Sequence, residues 1–312
     1  MDGLKSRVKA AVTLLSSQLV KCKILPKRVI IKMDGGICSQ MHFYLVGRII
    51  EQVHQTDVTF DISWFESVAK DVDGNFCRNF DLLKMFPTLD FKTQPLDLLR
   101  RIYISSFYKW NDYNTEDSSY ILGENTCPPR FLDGYFKDPE EMYTVWFRKT
   151  FKVDTSVLPS DNLAILKKIE NHHHSKSTCA VHVRRGDLSN AHPIYGNPCS
   201  IDYYTEAFRK IEENGDCKFF VFSDEPQWFV SNVKPSLSDY DLEIIDINGS
   251  DRGWCDLILM SRCEHQITSQ GSMGKYAAML RDKRKENGKV ILPPNENSED
   301  WLGRIANAMI VD

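Results

Sequence analysis

The sequence predicts an α/β protein with two Rossmann-like lobes, each built around a parallel sheet. With 312 residues, the chain is long enough for two domains that each bury a core. The second half alternates between short apolar runs, which are typical of strands, and amphipathic runs, which are typical of helices. The first half begins in the same way, with a β-branched strand, a small-residue loop and a helix.

The elements can be placed in order along the chain. In the first half we predict a strand at Arg28–Lys32, a helix from Met41 to near Gln55 and a strand at Val58–Phe60. In the second half we predict strands at Cys179–Val183, Lys218–Phe222, Leu242–Ile245, Gln266–Thr268 and Lys289–Leu292. The predicted helices of that half are Asp202–Glu212, Pro226–Val233, Trp254–Ser261, Ser272–Arg281 and Glu299–Ile310.

We expect three segments: a basic amphipathic N-terminal segment at 1–27, an N-terminal lobe at 28–165 and a C-terminal lobe at 166–312. Residues 1–32 hold eight basic side chains and one acidic side chain, a net charge of +7. Because the whole chain has a net charge of −4, the remainder is an acidic body with a charge of −11. The first segment has two interpretations, a surface helix packed on the body or a basic helix that binds a membrane surface.

Composition also narrows the compartment and the class of protein. Nine cysteines are scattered without a CxxC pair, which indicates neither a disulfide framework nor a zinc site and favours a reducing cytoplasm. The mildly apolar stretch at 10–20 is shorter than the ~20 residues that a membrane-spanning helix needs. A net charge of −4 argues against a general nucleic-acid-binding protein.

The strongest functional motif is VHVRRGD, which stands where a buried strand ends. His182, Arg184, Arg185 and Asp187 leave that strand together, and ligands of parallel sheets bind at the carboxyl ends of the strands. Arginine presents a fork of donors suited to phosphate, so the arginine pair predicts an anionic ligand. The alternative is an exposed cluster of ion pairs.

Two further strand ends carry polar loops. Ser223, Asp224 and Glu225 follow the next strand; carboxylates there can accept hydrogen bonds from a guanine edge or ribose hydroxyls, or can cap the following helix. The loop Ser269–Ser272 precedes another helix, and it is either an anion site at the helix N-terminus or a routine turn. Three such loops on one sheet predict a nucleoside-diphosphate site whose phosphates are held by protein donors.

These motifs resemble those of a known family. HVRRGD, FSDE with a following tryptophan, and LMSRCEHQIT with its small loop are similar to the three motifs of bacterial α-1,2-fucosyltransferases. GGICSQMHFYLVGR is similar to the glycine-rich GGxGNQ opening of that family, and the resemblance spans essentially residues 29–292. It implies a GT-B fold with the active site in the cleft between two Rossmann-like lobes, the N-terminal lobe taking the acceptor and the C-terminal lobe GDP-fucose.

The resemblance also implies a reaction. An inverting, metal-independent galactoside α-1,2-fucosyltransferase would let the 2-hydroxyl of a terminal β-galactose attack fucose C1 while GDP departs. No cofactor is expected beyond the donor substrate. With no metal, an arginine must stabilise the charge that develops on the leaving phosphate.

Site residues are carried over from the family onto matching positions. Arg184 is expected on the β-phosphate and as a catalytic residue, and Asp187 is the candidate general base. The resemblance also implies that His182 and Asp224 contact the guanosine, with Ser223 and Glu225 beside them, and that Gly271 and Ser272 contact the pyrophosphate. Arg185 either binds the donor or pairs with Asp187 as scaffold. The remaining implied donor contacts are Gly35, Gly36 and Gln40 of the glycine-rich loop.

The chain departs from the family pattern at defined positions. Cys38 and Ser39 replace the last glycine and the asparagine of the GGxGNQ pattern, which leaves Gly35, Gly36 and Gln40. The usual Asn-Ser is Gln270-Gly271, and the usual tryptophan pair is Lys275-Tyr276. We therefore expect an unusual acceptor.

Two rival functions and one cellular context follow from the sequence. Asp71 and Asp73 match the DxD pattern of metal-dependent glycosyltransferases, and the drifted loops also suit a non-catalytic nucleotide- or glycan-binding protein. For the main interpretation we expect a bacterial cytoplasmic enzyme whose acceptor is a galactose-terminated, lipid-linked repeat unit of O-antigen or another surface polysaccharide. The basic N-terminal segment would then contact anionic lipids at the inner membrane.

Overall fold

The structure, a computed structural model, consists of two compact units, one formed by residues 1–69 with 87–150 and one by 70–86 with 151–312. Both units contain a parallel sheet, so the predicted α/β class with two Rossmann-like lobes is confirmed. The residues that the structure describes are 7–8, 11, 14–15, 18–19, 21–24, 27–70, 77–97, 109–111, 130–134, 140–172, 176–188, 197–213, 215–282, 285, 287–295 and 298–311.

The first unit is built on a sheet with the strand order β2-β1-β4-β3, in which all described pairs are parallel. Its strands are β1 (Arg28–Lys32), β2 (Asp57–Asp61), β3 (Lys109–Asn111) and β4 (Arg130–Asp133). Its helices are α1 (Ile37–His54), α2 (Ser63–Ser67) and α4 (Glu140–Thr150), whereas α3 (Leu82–Met85) belongs to the second unit.

Helix α1 packs on this sheet through a close contact at Gly47. A Cβ atom at that position would lie 2.7 Å from Cζ of Phe60 and 3.2 Å from Cδ1 of Ile31. Phe60 is itself buried and stacks on Phe91 with a ring-centroid distance of 4.8 Å, so it has little room to move aside. Helix α1 begins four residues before the predicted start, directly after Gly36.

The second unit is built on a six-stranded parallel sheet with the order β10-β9-β8-β5-β6-β7. Its strands are β5 (Ser177–Val183), β6 (Cys217–Ser223), β7 (Asp241–Ile245), β8 (His265–Ile267), β9 (Val290–Leu292) and β10 (Ala308–Ile310). Its helices after α3 are α5 (Ser160–His172), α6 (Ile201–Glu212), α7 (Pro226–Trp228), α8 (Gly253–Ser261), α9 (Met273–Met279) and α10 (Glu299–Leu302). Short helical turns follow α7, with π geometry at Phe229–Val233 and 3₁₀ geometry at Lys234–Leu237.

The five strands predicted in this half are all present, but the predicted helix Glu299–Ile310 is wrong in its second part. Helix α10 ends at Leu302, and the chain turns through Asn307, whose φ of 55° is left-handed. Residues 308–310 then form β10, which pairs with β9 in parallel register. A three-residue strand is too short to show the alternation by which strands are recognised in a sequence.

The domain boundary also differs from the predicted one at 165/166. That position lies inside α5, and the second unit already includes Phe151. Asn162 of α5 is buried and exchanges side-chain hydrogen bonds of 3.0 and 2.8 Å with Asn248, while Asp161 pairs with Arg252 at 2.9 Å. These polar contacts attach α5 to the loop before α8.

The N-terminal segment is described only in part. Residues 7, 8, 11, 14, 15, 18, 19 and 21 are helical, and the other positions of the predicted segment 1–27, apart from 22–24 and 27, lie outside the described residues. Val8 and Leu15, which belong to the predicted apolar face, are exposed, as is Leu14. None of the described helices has both the length and the hydropathy required to cross a bilayer.

The contact at Gly47 leads to a stability prediction. Overpacking costs about 1–3 kcal/mol, whereas the helix-propensity gain of Gly→Ala is only about 1 kcal/mol. We therefore expect Gly47→Ala to lower the free energy of unfolding in urea titrations. Gly253→Ala is the matched control, because its Cβ would meet only Cε of Met273 at 3.9 Å. Equal stability of the two variants would show that the α1–sheet contact is not tight.

Candidate active site at the carboxyl edge of the second sheet

The three sequence motifs of the second unit meet at one edge of its sheet. In the parallel register, Val183 of β5 lies opposite Ser223 of β6, and Val181 lies opposite Ile267 of β8. The chain therefore leaves all three strands in the same direction. The loops after β5, β6 and β8 lie side by side, which is where parallel sheets bind ligands.

The first and third loops touch through Arg184 and Gly271. Gly271 has a φ of 82°, and a Cβ atom there would overlap Nη1 of the Arg184 guanidinium. Only glycine combines that backbone conformation with that close approach. Two residues predicted to bind the diphosphate are thus in contact, although 87 positions separate them in sequence.

His182, near the end of β5, is almost completely buried. Its Nδ1 is 2.8 Å from the hydroxyl oxygen of Ser269. Burial, followed by the positive charges of Arg184 and Lys275, lowers the pKa of His182 to about 3. The imidazole is therefore neutral at pH 7, and it joins the loops after β5 and β8.

Asp224 holds the VHVRRGD turn in place. Its two carboxylate oxygens accept hydrogen bonds from the backbone N–H groups of Arg185 and Gly186, at 2.9 and 3.1 Å. The sequence pointed to Asp224 as a guanosine contact or a helix cap. Its described bonds instead join the loop after β6 to the loop after β5.

The described side-chain contacts of Arg185 are with Trp228 and Glu225. Its guanidinium carbon lies 3.8 Å from the centre of the Trp228 ring, and its Nε donates to Glu225 at 3.4 Å. Ser223 accepts a hydrogen bond from the backbone N–H of Glu225 at 3.0 Å. These contacts favour the scaffold role for Arg185, with Glu225 and Trp228 as its partners. Asp187 lies in a 3₁₀ turn at Gly186–Leu188, and its side chain is outside the described part of the structure.

Hydrogen bonds from buried side chains hold the backbone at the start of the loop after β8. The hydroxyl of Tyr203 donates to the backbone carbonyl of Thr268 at 2.7 Å, and the Thr268 hydroxyl donates to the carbonyl of Ile291 at 3.0 Å. The side-chain oxygen of Gln270 accepts a hydrogen bond of 2.7 Å from Asn295. Ser272 then precedes α9, and its hydroxyl makes no capping hydrogen bond.

Lys275 is a site residue whose importance sequence reasoning missed. Its side chain is buried, with 3% of the residue exposed, and burial lowers its pKa to about 8. It lies close enough to Arg184 and His182 to act electrostatically on both. The available signal was a lysine inside the apolar run of α9, where the related family has a tryptophan.

The glycine-rich loop belongs to the first unit and follows β1. Gly35 has a φ of 74°, and its carbonyl accepts a 3.1 Å hydrogen bond from the side chain of the buried Gln40. Gly36 stands immediately before α1. Close to the same strand end, Lys32 donates to Asp133 at 2.9 Å, and burial raises the pKa of Asp34.

The described part of the chain contains no group of three or more His, Cys, Asp or Glu side chains arranged to hold a metal ion. Asp71 and Asp73 of the DxD match lie outside the described residues. Every described cysteine is a free thiol.

Comparison with solved structures finds several of similar fold. Fucosyltransferase NodZ from Bradyrhizobium is 18% identical, with 82% of this chain and 94% of that chain covered and a TM-score of 0.47. A mutant of Arabidopsis thaliana FUT1 in complex with GDP is 12% identical, with 87% and 71% covered and a TM-score of 0.44. The E. coli ADP-heptose heptosyltransferase II is 11% identical, with 91% and 90% covered and a TM-score of 0.39.

Comparison of the sequence with known proteins and protein families identifies the family of this chain. Among curated proteins, none matches this chain. The family model described as glycosyl transferase family 11 matches residues 97–302, which is more than half of the chain and includes all three motif loops. This match confirms the resemblance found in the sequence: the chain belongs to glycosyl transferase family 11.

Proposed function

We propose that this family member is an inverting, metal-independent galactoside α-1,2-fucosyltransferase that uses GDP-fucose. The observation that carries the proposal is the contact of the Arg184 guanidinium with Gly271, where the loops after β5 and β8 meet. A guanidinium held at the carboxyl edge of a parallel sheet suits a diphosphate. The family match and the HxRRxD motif support fucose as the transferred sugar.

In the proposed reaction the 2-hydroxyl oxygen of the acceptor galactose attacks C1 of fucose from the face opposite the diphosphate. The bond between C1 and the β-phosphate oxygen breaks, and its electron pair leaves with GDP, so the configuration at C1 inverts. Arg184 stabilises the charge that grows on the β-phosphate. The hydroxyl proton passes to a base, for which Asp187 is our candidate.

The guanosine end of the donor is proposed to lie along the loops after β5 and β6. His182, Asp224, Ser223 and Glu225 border this region, with Gly271 and Ser272 toward the diphosphate. Because both oxygens of Asp224 accept backbone hydrogen bonds, we expect its main contribution to be the shape of the Arg184 loop.

The acceptor is proposed to be a terminal β-galactose of a lipid-linked O-antigen or other surface-polysaccharide unit in a bacterial cytoplasm. The first unit, which carries the glycine-rich loop, is the lobe expected to take the acceptor. The departures of that loop at Cys38 and Ser39 support an acceptor unlike that of other family members.

The function is tested by incubating the protein with GDP-fucose and a panel of β-galactosides in the presence of EDTA. We expect GDP release that depends on the acceptor, and linkage analysis that places fucose on O2 of galactose. Activity that requires added Mn²⁺ would support the DxD alternative. Tight GDP binding without release from any acceptor would support a non-catalytic binding protein.

The contact between Arg184 and Gly271 predicts the effect of two variants. Arg184→Ala removes the positive charge that faces the leaving phosphate, and Gly271→Ala displaces the guanidinium without removing it. We expect each to lower turnover by about 10²–10³-fold, the range for loss of one preorganised donor. Arg209→Ala is the control, because Arg209 lies exposed on α6 and pairs with Glu206. Near-normal turnover in Arg184→Ala would refute the site.

We propose that the N-terminal segment binds anionic lipids at the cytoplasmic face of the inner membrane. Its described positions from 7 to 21 are helical, and Val8, Leu14 and Leu15 are 43%, 66% and 61% exposed on a segment that also carries Arg7 and Lys21. Apolar side chains on a basic helix favour the membrane interface, and each basic residue near the surface contributes about 1 kcal/mol.

Flotation with liposomes tests this membrane contact. We expect the full chain to float with vesicles that contain anionic lipid and much less with neutral vesicles. Deletion of residues 1–25 should abolish the difference, whereas a Leu14→Ser, Leu15→Ser double variant should weaken it. Unchanged flotation after the deletion would refute the proposal.

A further inference from the structure

Lys275 is buried without a counter-ion among the described residues. Only 3% of the residue is exposed, and no described carboxylate lies within ion-pair distance of its ammonium group. The described contact of the ammonium is with the ring of Trp301, whose centroid is 5.7 Å away. This is unusual, because lysine normally extends its ammonium group into water.

The neighbours of Lys275 do not neutralise it. Arg184 and His182 approach from the end of β5, and the first of these is a second cation. Cys199 approaches from the segment before α6, but burial raises the pKa of its thiol to about 11, so it is not a thiolate at pH 7. Tyr204, next to Cys199, has its pKa raised by burial as well and is uncharged.

A buried charge that no protein group compensates destabilises the unliganded protein. A methionine or leucine of similar volume would fill the same space at lower cost in free energy. The presence of lysine is explained if a bound anion supplies the missing negative charge. The proposed diphosphate lies near Arg184 and Gly271, which contact each other where the loops after β5 and β8 meet.

We propose that Lys275 is a second binding residue for the donor diphosphate, acting beside Arg184 and donating to an oxygen of the β-phosphate. This inference rests on the proposed function, which supplies the nucleotide. The related family has tryptophan at this position, so the resemblance alone assigns no cation here. The Lys275 ammonium also makes a cation–π contact with the Trp301 ring, at 5.7 Å from its centroid.

The two cations would act differently on the leaving group. The planar Arg184 guanidinium can hold two oxygens at once, whereas the Lys275 ammonium is a compact point charge. As the bond from C1 to the β-phosphate breaks, negative charge accumulates on the β-phosphate oxygens that Lys275 contacts. Its attraction therefore increases in the transition state, which favours bond breaking without a metal ion.

A pH dependence follows from the lowered pKa of Lys275. Below pH 8 the unliganded protein carries the charged ammonium, which attracts the diphosphate. Above about pH 8 the group loses its proton, and GDP must bind a neutral amine or take up a proton. We expect GDP affinity to fall through this range in the native chain, and to fall less in a variant without the amine.

The test compares GDP with GMP, which lacks the β-phosphate, by titration calorimetry on Lys275→Met and Lys275→Arg. We expect Lys275→Met to weaken GDP binding about 10- to 100-fold, the range for loss of one hydrogen bond between charged groups, with GMP affinity nearly unchanged. Lys275→Arg should recover part of the GDP affinity. Lys218→Met is the control, since the Lys218 side chain is 13% exposed and pairs with Asp241 at the opposite edge of the sheet.

The proposal also predicts that the melting temperature without nucleotide rises in Lys275→Met, because a buried charge with no described counter-ion has been removed. A lower melting temperature would indicate a structural role instead. Equal loss of GDP and GMP affinity, or unchanged GDP affinity and an unchanged pH profile, would overturn the role of Lys275 alone. Failure of the native protein to bind GDP would instead overturn the proposed function, and the role of Lys275 with it.

Discussion

The parallel register of β5 with its two neighbours is the constraint on which the candidate site depends. Cys179, Val181 and Val183 belong to one apolar cluster, so a shift of one residue would place the polar side chains of Thr178 and His182 there instead. That register places the ends of β5, β6 and β8 at one edge. Three loops that are distant in sequence therefore meet because the core requires it, and hydrogen bonds of His182 and Asp224 then join them.

The described carboxylates at this edge are engaged by groups of the protein itself. Asp224 accepts two N–H groups of the Arg184 loop, and Glu225 pairs with Arg185 on the Trp228 ring. Negative charge is thus used to hold the shape of the turn. A positive edge with its acids engaged in this way suits a diphosphate better than a metal ion, which requires carboxylates directed at itself.

Much of the fold and of the candidate site could be predicted from the sequence, because the apolar runs of β5 and β6 and the arginine pair are local signals. The domain boundary before α5 and the three-residue strand β10 could not, since both depend on contacts with distant segments such as Asn248 and β9. The site shows the same division. The motif residues were identified, but the use of Asp224 as a backbone acceptor depends on a loop that lies 38 residues away.

Burial sets the charge of each basic group at this edge, and the result links ligand binding to stability. His182 is neutral because its pKa is near 3, whereas Lys275, with a pKa of about 8, is mainly protonated at pH 7. Among the described residues, no carboxylate lies within ion-pair distance of Lys275, and in the proposed complex the diphosphate would supply that negative charge. A ligand that binds only the folded state stabilises it in proportion to the logarithm of its concentration. Under this proposal the lysine lowers the stability of the empty site and increases the stabilisation that the donor brings.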